Sequence, residues 1–169
     1  MNLNKILHKE YRDYHLKEPN LIEIIIFYYN SATYRALVAL RLMLLYGSRG
    51  KVVLATYFKN KLSNKYGIHI GIETKIGNHL MLPHPIGIVI GKGCIIGDEC
   101  KIYQNVTIGR KNGGYPTIGN NVVIYPGAVI VGDIRIGDNV IIGANAVVLH
   151  DVPDNVVVAG VPANIIHHV

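Results

Sequence analysis

The chain has 169 residues, half of them hydrophobic, with 18 Gly, no Trp and a formal net charge of +6. That length supports one good core, or a core with an appendage, and a charged fraction of only 17% excludes both a disordered chain and a charged coiled coil. The most apolar segment, IIIFYYNSATY, covers 11 residues before Arg35 interrupts it, too few to span a bilayer.

The charge is unevenly placed. Residues 1–66 hold 11 Lys/Arg against 4 Asp/Glu, whereas residues 67–169 hold 6 against 7. A basic N-terminal third suits anionic lipid, a polyanionic glycan, a phosphorylated carrier or plain solvation. No recognised nucleic-acid motif accompanies it, so nucleic acid is not an expected partner. The opening MNLNKILHKEYRDYHLKE lacks the apolar stretch and small-residue cleavage site of a secretory leader. A cytoplasmic protein is expected, with peripheral contact at the inner membrane face as an option.

In chain order, residues 1–67 read as a small α-helical domain. Leu37, Leu40, Leu44 and Leu45 recur at helical spacing, Asn30-Ser31 separates two helices, and Gly47 ends the second. A third helix runs through VVLATYFKNKLSNKY to Gly67. The segment is too short for a nucleotide-binding α/β domain, which removes sugar-nucleotide transferases that carry one.

From residue 70 an aliphatic residue returns every sixth position: Ile70, Ile76, Leu82; then Ile90 to Ile108; then Ile118 to Val148. Gly follows in eight of these thirteen units. A period of six fits neither an α-helix nor an amphipathic strand. It fits a parallel β-helix in which each hexapeptide is a short strand and a turn, with Gly at the corner supplying backbone angles closed to other residues. Thirteen hexapeptides at three per turn give roughly four coils over residues 68–152. Cys94 and Cys100 take the small inward position of consecutive hexapeptides, where free Cys is a small hydrophobe. They make no zinc or disulfide pattern.

Two interruptions mark where function is expected. The step from Leu82 to Ile90 is eight residues, so LPHPIG bulges around His84, and the step from Ile108 to Ile118 is ten, extruding residues 110–117. Solenoid insertions reach the surface and often carry function. Residues 153–169, with Pro153 and Pro162, break the period as a C-terminal cap.

The hexapeptide run, LPHPIGIVIG, YQNVTIG, the Gly-rich loop and AGVPANII together resemble the left-handed β-helix acyltransferases, in particular their serine acetyltransferase-like branch. The likeness runs from about Ile68 to Ile166. It implies a homotrimer, acetyl-CoA as donor and an active site between neighbouring subunits, with His84 as the catalytic base. Three positions depart from serine acetyltransferase: Pro83 and His69 stand where that branch has Asp, and Tyr115 where it has a second His. The extruded loop is shorter and the C-terminal tail is missing. On these departures the chain is more similar to the polysaccharide-associated O-acetyltransferases of colanic-acid and capsule type. That likeness implies a sugar or glycan hydroxyl as acceptor in surface-polysaccharide assembly.

The chemistry fits one histidine. Transfer from a thioester needs a base for the attacking hydroxyl and then a proton for the departing thiolate, and an imidazole does both in turn. Pro83 and Pro85 stiffen the bulge that aims it. His69 and Tyr115 are candidate acceptor-binding residues. Gly109, Arg110 and Lys111 are candidates for the CoA phosphates, and the resemblance implies that pantetheine meets backbone near Pro126 and Ala144. No metal is expected.

Other readings stay open. They are serine O-acetylation or another small acceptor, a non-catalytic trimeric β-helix scaffold, and a metal enzyme of γ-carbonic anhydrase type using His79 and His84.

Overall fold

The computed structural model describes residues 8, 11, 12 and 20–168. The expectation about a secretory leader and the first part of the helical domain therefore fall largely outside the described residues, as does Val169 of the cap.

Helix α1 (Leu21–Asn30) starts at a reciprocal cap in which the Asn20 side chain accepts from the Glu23 backbone N–H and the Glu23 carboxylate accepts from the Asn20 N–H. Ser31 both ends α1 and caps α2 (Ala32–Ser48), its hydroxyl accepting from the Tyr34 N–H at 3.1 Å. Helix α3 (Val52–Tyr66) stops at Gly67, which takes a left-handed φ of 61°.

Gly47 serves a different purpose from the one expected. Helix α2 continues past it to Ser48, and a Cβ at position 47 would lie 2.6 Å from the Ile72 side chain. The residue is Gly because the first coil of the solenoid packs against the helix there.

Arg41, fully buried in α2, reaches the same coil and donates to the Gly77 carbonyl at 2.8 Å and more weakly to Ile76 at 3.4 Å. Backbone carbonyls at the open end of a solenoid have no next coil to pair with. A charged donor that satisfies them closes that end.

Among the described residues, above the helices, thirteen short strands wind into three parallel sheets and a last strand folds back on them. Sheet A orders β1 (His69–Ile70), β3 (Val89–Ile90), β6 (Thr107–Gly109), β9 (Val129–Val131) and β12 (Val147–Val148). Sheet B holds β2 (Lys75–Ile76), β4 (Ile95–Ile96), β7 (Thr117–Ile118) and β10 (Arg135–Ile136). Sheet C holds β5 (Lys101–Ile102), β8 (Val123–Ile124), β11 (Ile141–Ile142) and β13 (Val156–Gly160), with β14 (Ala163–His168) pairing antiparallel to β13.

The register stacks Ile70, Ile90, Ile108, Ile130 and Val148 directly over one another. All five are buried, so every sixth residue points into one continuous core. The architecture is a mainly β solenoid of about four turns preceded by helices, consistent with a left-handed β-helix.

The corners are built differently from the expectation. The glycines after the inward aliphatic residues, such as Gly97 and Gly119, do not carry the positive φ values. They are glycines because the coils approach closely: a Cβ on Gly97 would lie 2.5 Å from the Gly119 carbonyl oxygen. The left-handed residue comes two positions later. On the corner from sheet B to sheet C it is His79 and Glu99 on the two lower coils and Asn121, Asn139 and Asn155 on the upper three, the asparagines with φ of 53°, 57° and 59°. The asparagine side-chain amides form a ladder of 2.9 Å hydrogen bonds from coil to coil. Asn is the residue after Gly that best tolerates this conformation.

Cys94 and Cys100 are buried and free, with thiols pushed up to about 11 by burial. No helix among the described residues is long and apolar enough to cross a membrane.

Candidate active site

The chain leaves sheet C and enters sheet A four times at one corner, and His84 lies on the lowest rung. The rungs read Pro83-His84-Pro85-Ile86-Gly87, Tyr103-Gln104-Asn105, Tyr125-Pro126-Gly127 and Gly143-Ala144-Asn145.

The bulge is held from both sides. Below it, Thr33 of α2 donates its hydroxyl to the Pro83 carbonyl at 3.4 Å and the Gly87 N–H donates to the Tyr66 carbonyl at the end of α3. Above it, the Asn105 N–H donates to the Ile86 carbonyl at 3.0 Å. Within it, the Ile86 N–H closes a tight turn onto the His84 carbonyl at 2.8 Å. Gly87 has a φ of 68°, and a Cβ there would strike the Asn105 side-chain oxygen at 2.3 Å. Pro85 is buried while His84 is exposed. The rigid residue is the anchor and the histidine is the presented group.

The imidazole makes no hydrogen bond among the described residues; it leans on an aromatic stack. Its ring centre is 6.3 Å from that of Tyr103, which lies 5.2 Å from Tyr125 with planes 17° apart. On the same rung as Tyr103, the buried Gln104 side-chain oxygen has no hydrogen-bond partner among the described residues. Tyr103 and Gln104 belong to the YQNVTIG stretch that carries the resemblance, but neither they nor Tyr125 are among the expected site residues, although a signal was present. Aligning the chain by coils puts Pro83, Tyr103 and Tyr125 at the position where most hexapeptides carry Gly, all three on one corner. No carboxylate occurs on these four rungs.

The expected site residues fall into separate groups within one chain. His84, Pro126 and Ala144 share the corner from sheet C to sheet A. Gly109, Arg110, Lys111 and Tyr115 lie at the other edge of sheet A. There the extruded loop is a tight hairpin in which Lys111 and Gly114 exchange backbone hydrogen bonds around Asn112 (φ 51°) and Gly113 (φ 98°). Arg110 and Lys111 are exposed on it.

The Tyr115 ring covers Gly91 and Gly93, where added Cβ atoms would meet it at 2.7 and 2.4 Å. His69 is exposed on β1 of sheet A with its Nδ1 3.4 Å from the Ser63 hydroxyl. His79 occupies the corner from sheet B to sheet C with a φ of 57°, so one chain does not pair it with His84. No group of three or more His, Cys, Asp or Glu able to hold a metal ion is present among the described residues.

Fold and corner together define a β-solenoid of hexapeptide type, and comparison with known proteins refines that class. Residues 115–150 match the family model described as bacterial transferase hexapeptide (six repeats). A serine acetyltransferase of Buchnera aphidicola is 38% identical over 141 residues, 80% of this chain and 52% of that protein. The solved serine acetyltransferase of Neisseria gonorrhoeae in complex with serine is 33% identical with a TM-score of 0.84, over 96% of this chain and 68% of that one. A serine acetyltransferase in complex with CoA is 30% identical with a TM-score of 0.84, over 97% and 69%. The chain spans about half the length of the curated relatives it matches.

The chain belongs to the hexapeptide-repeat, left-handed β-helix acyltransferases and is serine acetyltransferase-like. The finer likeness to polysaccharide O-acetyltransferases finds no support in these comparisons.

Proposed function

We propose that this protein transfers an acetyl group from acetyl-CoA to the hydroxyl of serine or a similar small acceptor, with His84 as the general base. The observation that carries the proposal is a histidine presented on a bulge pinned at both ends, in a chain 33% identical to a serine acetyltransferase bound to serine. In the reaction the acceptor oxygen attacks the thioester carbonyl carbon as the His84 imidazole takes the hydroxyl proton. The C–S bond then breaks, and the same proton passes from the imidazolium to the leaving CoA thiolate. Corner backbone N–H groups are suited to stabilise the intermediate oxyanion.

The two halves of the expected site lie at opposite edges of sheet A, roughly 15 Å apart, because Pro126 and Val131, the register partner of Gly109, are separated by five residues of extended chain. A homotrimer would set the His84 corner of one subunit against the Arg110–Lys111 hairpin of the next, so that acetyl-CoA bridges them. His69 and Tyr115 remain the acceptor-side candidates in that arrangement, with Gly109, Pro126 and Ala144 lining the donor's path.

A second reading is favoured by one observation. The corner around His84 is aromatic and holds no carboxylate on its rungs, so a neutral sugar hydroxyl needs no ionic partner there, whereas the serine ammonium does. Thiol release from acetyl-CoA, measured against serine, other hydroxy-amino acids and simple pyranosides, separates the two. Fastest release with serine upholds the first reading, and fastest release with a pyranoside upholds the second. No acceptor-dependent release with any of them would overturn both.

A further inference from the structure

The turn joining α2 to α3 has an unusual surface. Residues 47–66 carry five Lys/Arg and no Asp/Glu. At the start of α3, Val52, Val53 and Leu54 follow one another, and three consecutive helical positions span about 200° around the helix. The buried side of α3 is supplied by Ala55, Leu62 and Tyr66, which leaves Val52, Val53, Leu54 and Tyr57 outside, with Val53 84% exposed. Arg49 and Lys51 flank them and are exposed. Gly50, at the turn itself, has nothing within 4 Å of where a Cβ would be, so the tip of the helical hairpin is open.

We propose that this tip docks on an anionic lipid bilayer surface. Val52, Val53 and Leu54 enter the headgroup–acyl boundary, Tyr57 sits at that boundary with its hydroxyl toward water, and Arg49 and Lys51 meet lipid phosphates. Helix α3 has no side-chain N-cap, so the positive end of its dipole adds to the attraction.

A two-fold contact with a second copy of the chain fits the surface less well. A symmetric contact would press Arg49 and Lys51 against their own copies, with no carboxylate between residues 47 and 66 to separate them. The remainder of the chain, residues 67–169, is nearly neutral at 6 Lys/Arg against 7 Asp/Glu and does not oppose approach.

The test needs no enzymatic activity. The full chain is sedimented with large vesicles of phosphatidylcholine alone or mixed with phosphatidylglycerol, at low and at physiological salt. The expected result is binding to the mixed vesicles, weakened by salt, and little binding to phosphatidylcholine. Arg49→Gln and Lys51→Gln each weaken the binding about fivefold. Val53→Ser with Leu54→Ser abolishes it while circular dichroism shows the fold intact. No binding to mixed vesicles, or unchanged binding by these variants, would overturn the proposal. It would also be overturned if the Val53/Leu54 variant instead lowered the oligomeric state in light scattering, since the patch would then join copies of the chain.

Discussion

The His84 imidazole rests against the Tyr103 ring, centroids 6.3 Å apart and planes tilted by 51°. Tyr103 is itself backed by Tyr125, one coil higher. With no hydrogen bond to the imidazole among the described residues, its aim depends on packing and on the pinned bulge. Tyr103→Ala is therefore expected to lower kcat by about 10- to 100-fold through misplacement of the base, with KM for acetyl-CoA unchanged. Tyr103→Phe keeps the ring and stays within about twofold of wild type. Equal losses in both variants would shift the role to the phenolic hydroxyl, and steady-state kinetics distinguish the cases.

Arg41 is expected to be the costliest single position of the helical segment. Arg41→Ala removes a buried cation that donates to Gly77 and leaves carbonyls at the open end of the solenoid unsatisfied. The loss is about 3 kcal/mol of unfolding free energy, measurable by urea denaturation.

The corner glycines are close-approach residues, and their substitution reports it. Gly97→Ala would place a Cβ 2.5 Å from the Gly119 carbonyl oxygen, between two backbones that are both hydrogen-bonded in the coil. A cost of about 2–3 kcal/mol is expected. Gly113→Ala lies in open space and strains only its own φ of 98°, so it costs less, about 1 kcal/mol. Thermal unfolding of the two variants side by side gives the order.

The two thiols make stability pH-dependent on the alkaline side. Burial raises both Cys94 and Cys100 to about 11 in the folded chain, above the ordinary thiol value of about 8.5. The unfolded chain therefore loses these protons first as pH rises. Their contribution is complete below about 8.5 and is lost progressively up to about 11. The expected effect is on the order of 3 kcal/mol per thiol. Urea midpoints measured from pH 8 to 10.5 should fall more steeply for wild type than for Cys94→Ala/Cys100→Ala.

The fold was legible because a solenoid repeats its own instruction. Ile90, Ile108 and Ile130 declare their stacking by spacing alone, and the two extra residues around His84 and four extra in the 110–117 loop appear as breaks in that spacing. What the sequence hid depends on neighbours far along the chain. The reason for Gly97 is the carbonyl of Gly119, the reason for Gly47 is Ile72, and the upper left-handed corners belong to asparagines whose role shows only when Asn121, Asn139 and Asn155 are stacked. The site was half legible for the same cause. His84 announces itself between two prolines, whereas the stacking of Tyr103 on Tyr125 is a relation between coils 22 residues apart. Tyr115, expected on the acceptor side, packs over Gly91 and Gly93 because those two glycines leave room for a ring.

The central claim is that His84 handles the proton in acyl transfer, and the most direct measurement is kcat for acceptor-dependent thiol release by His84→Ala beside wild type. A loss of about 10²- to 10⁴-fold, with acetyl-CoA binding retained, is the predicted result. A His84→Ala enzyme that turns over its best acceptor at the wild-type rate would contradict it.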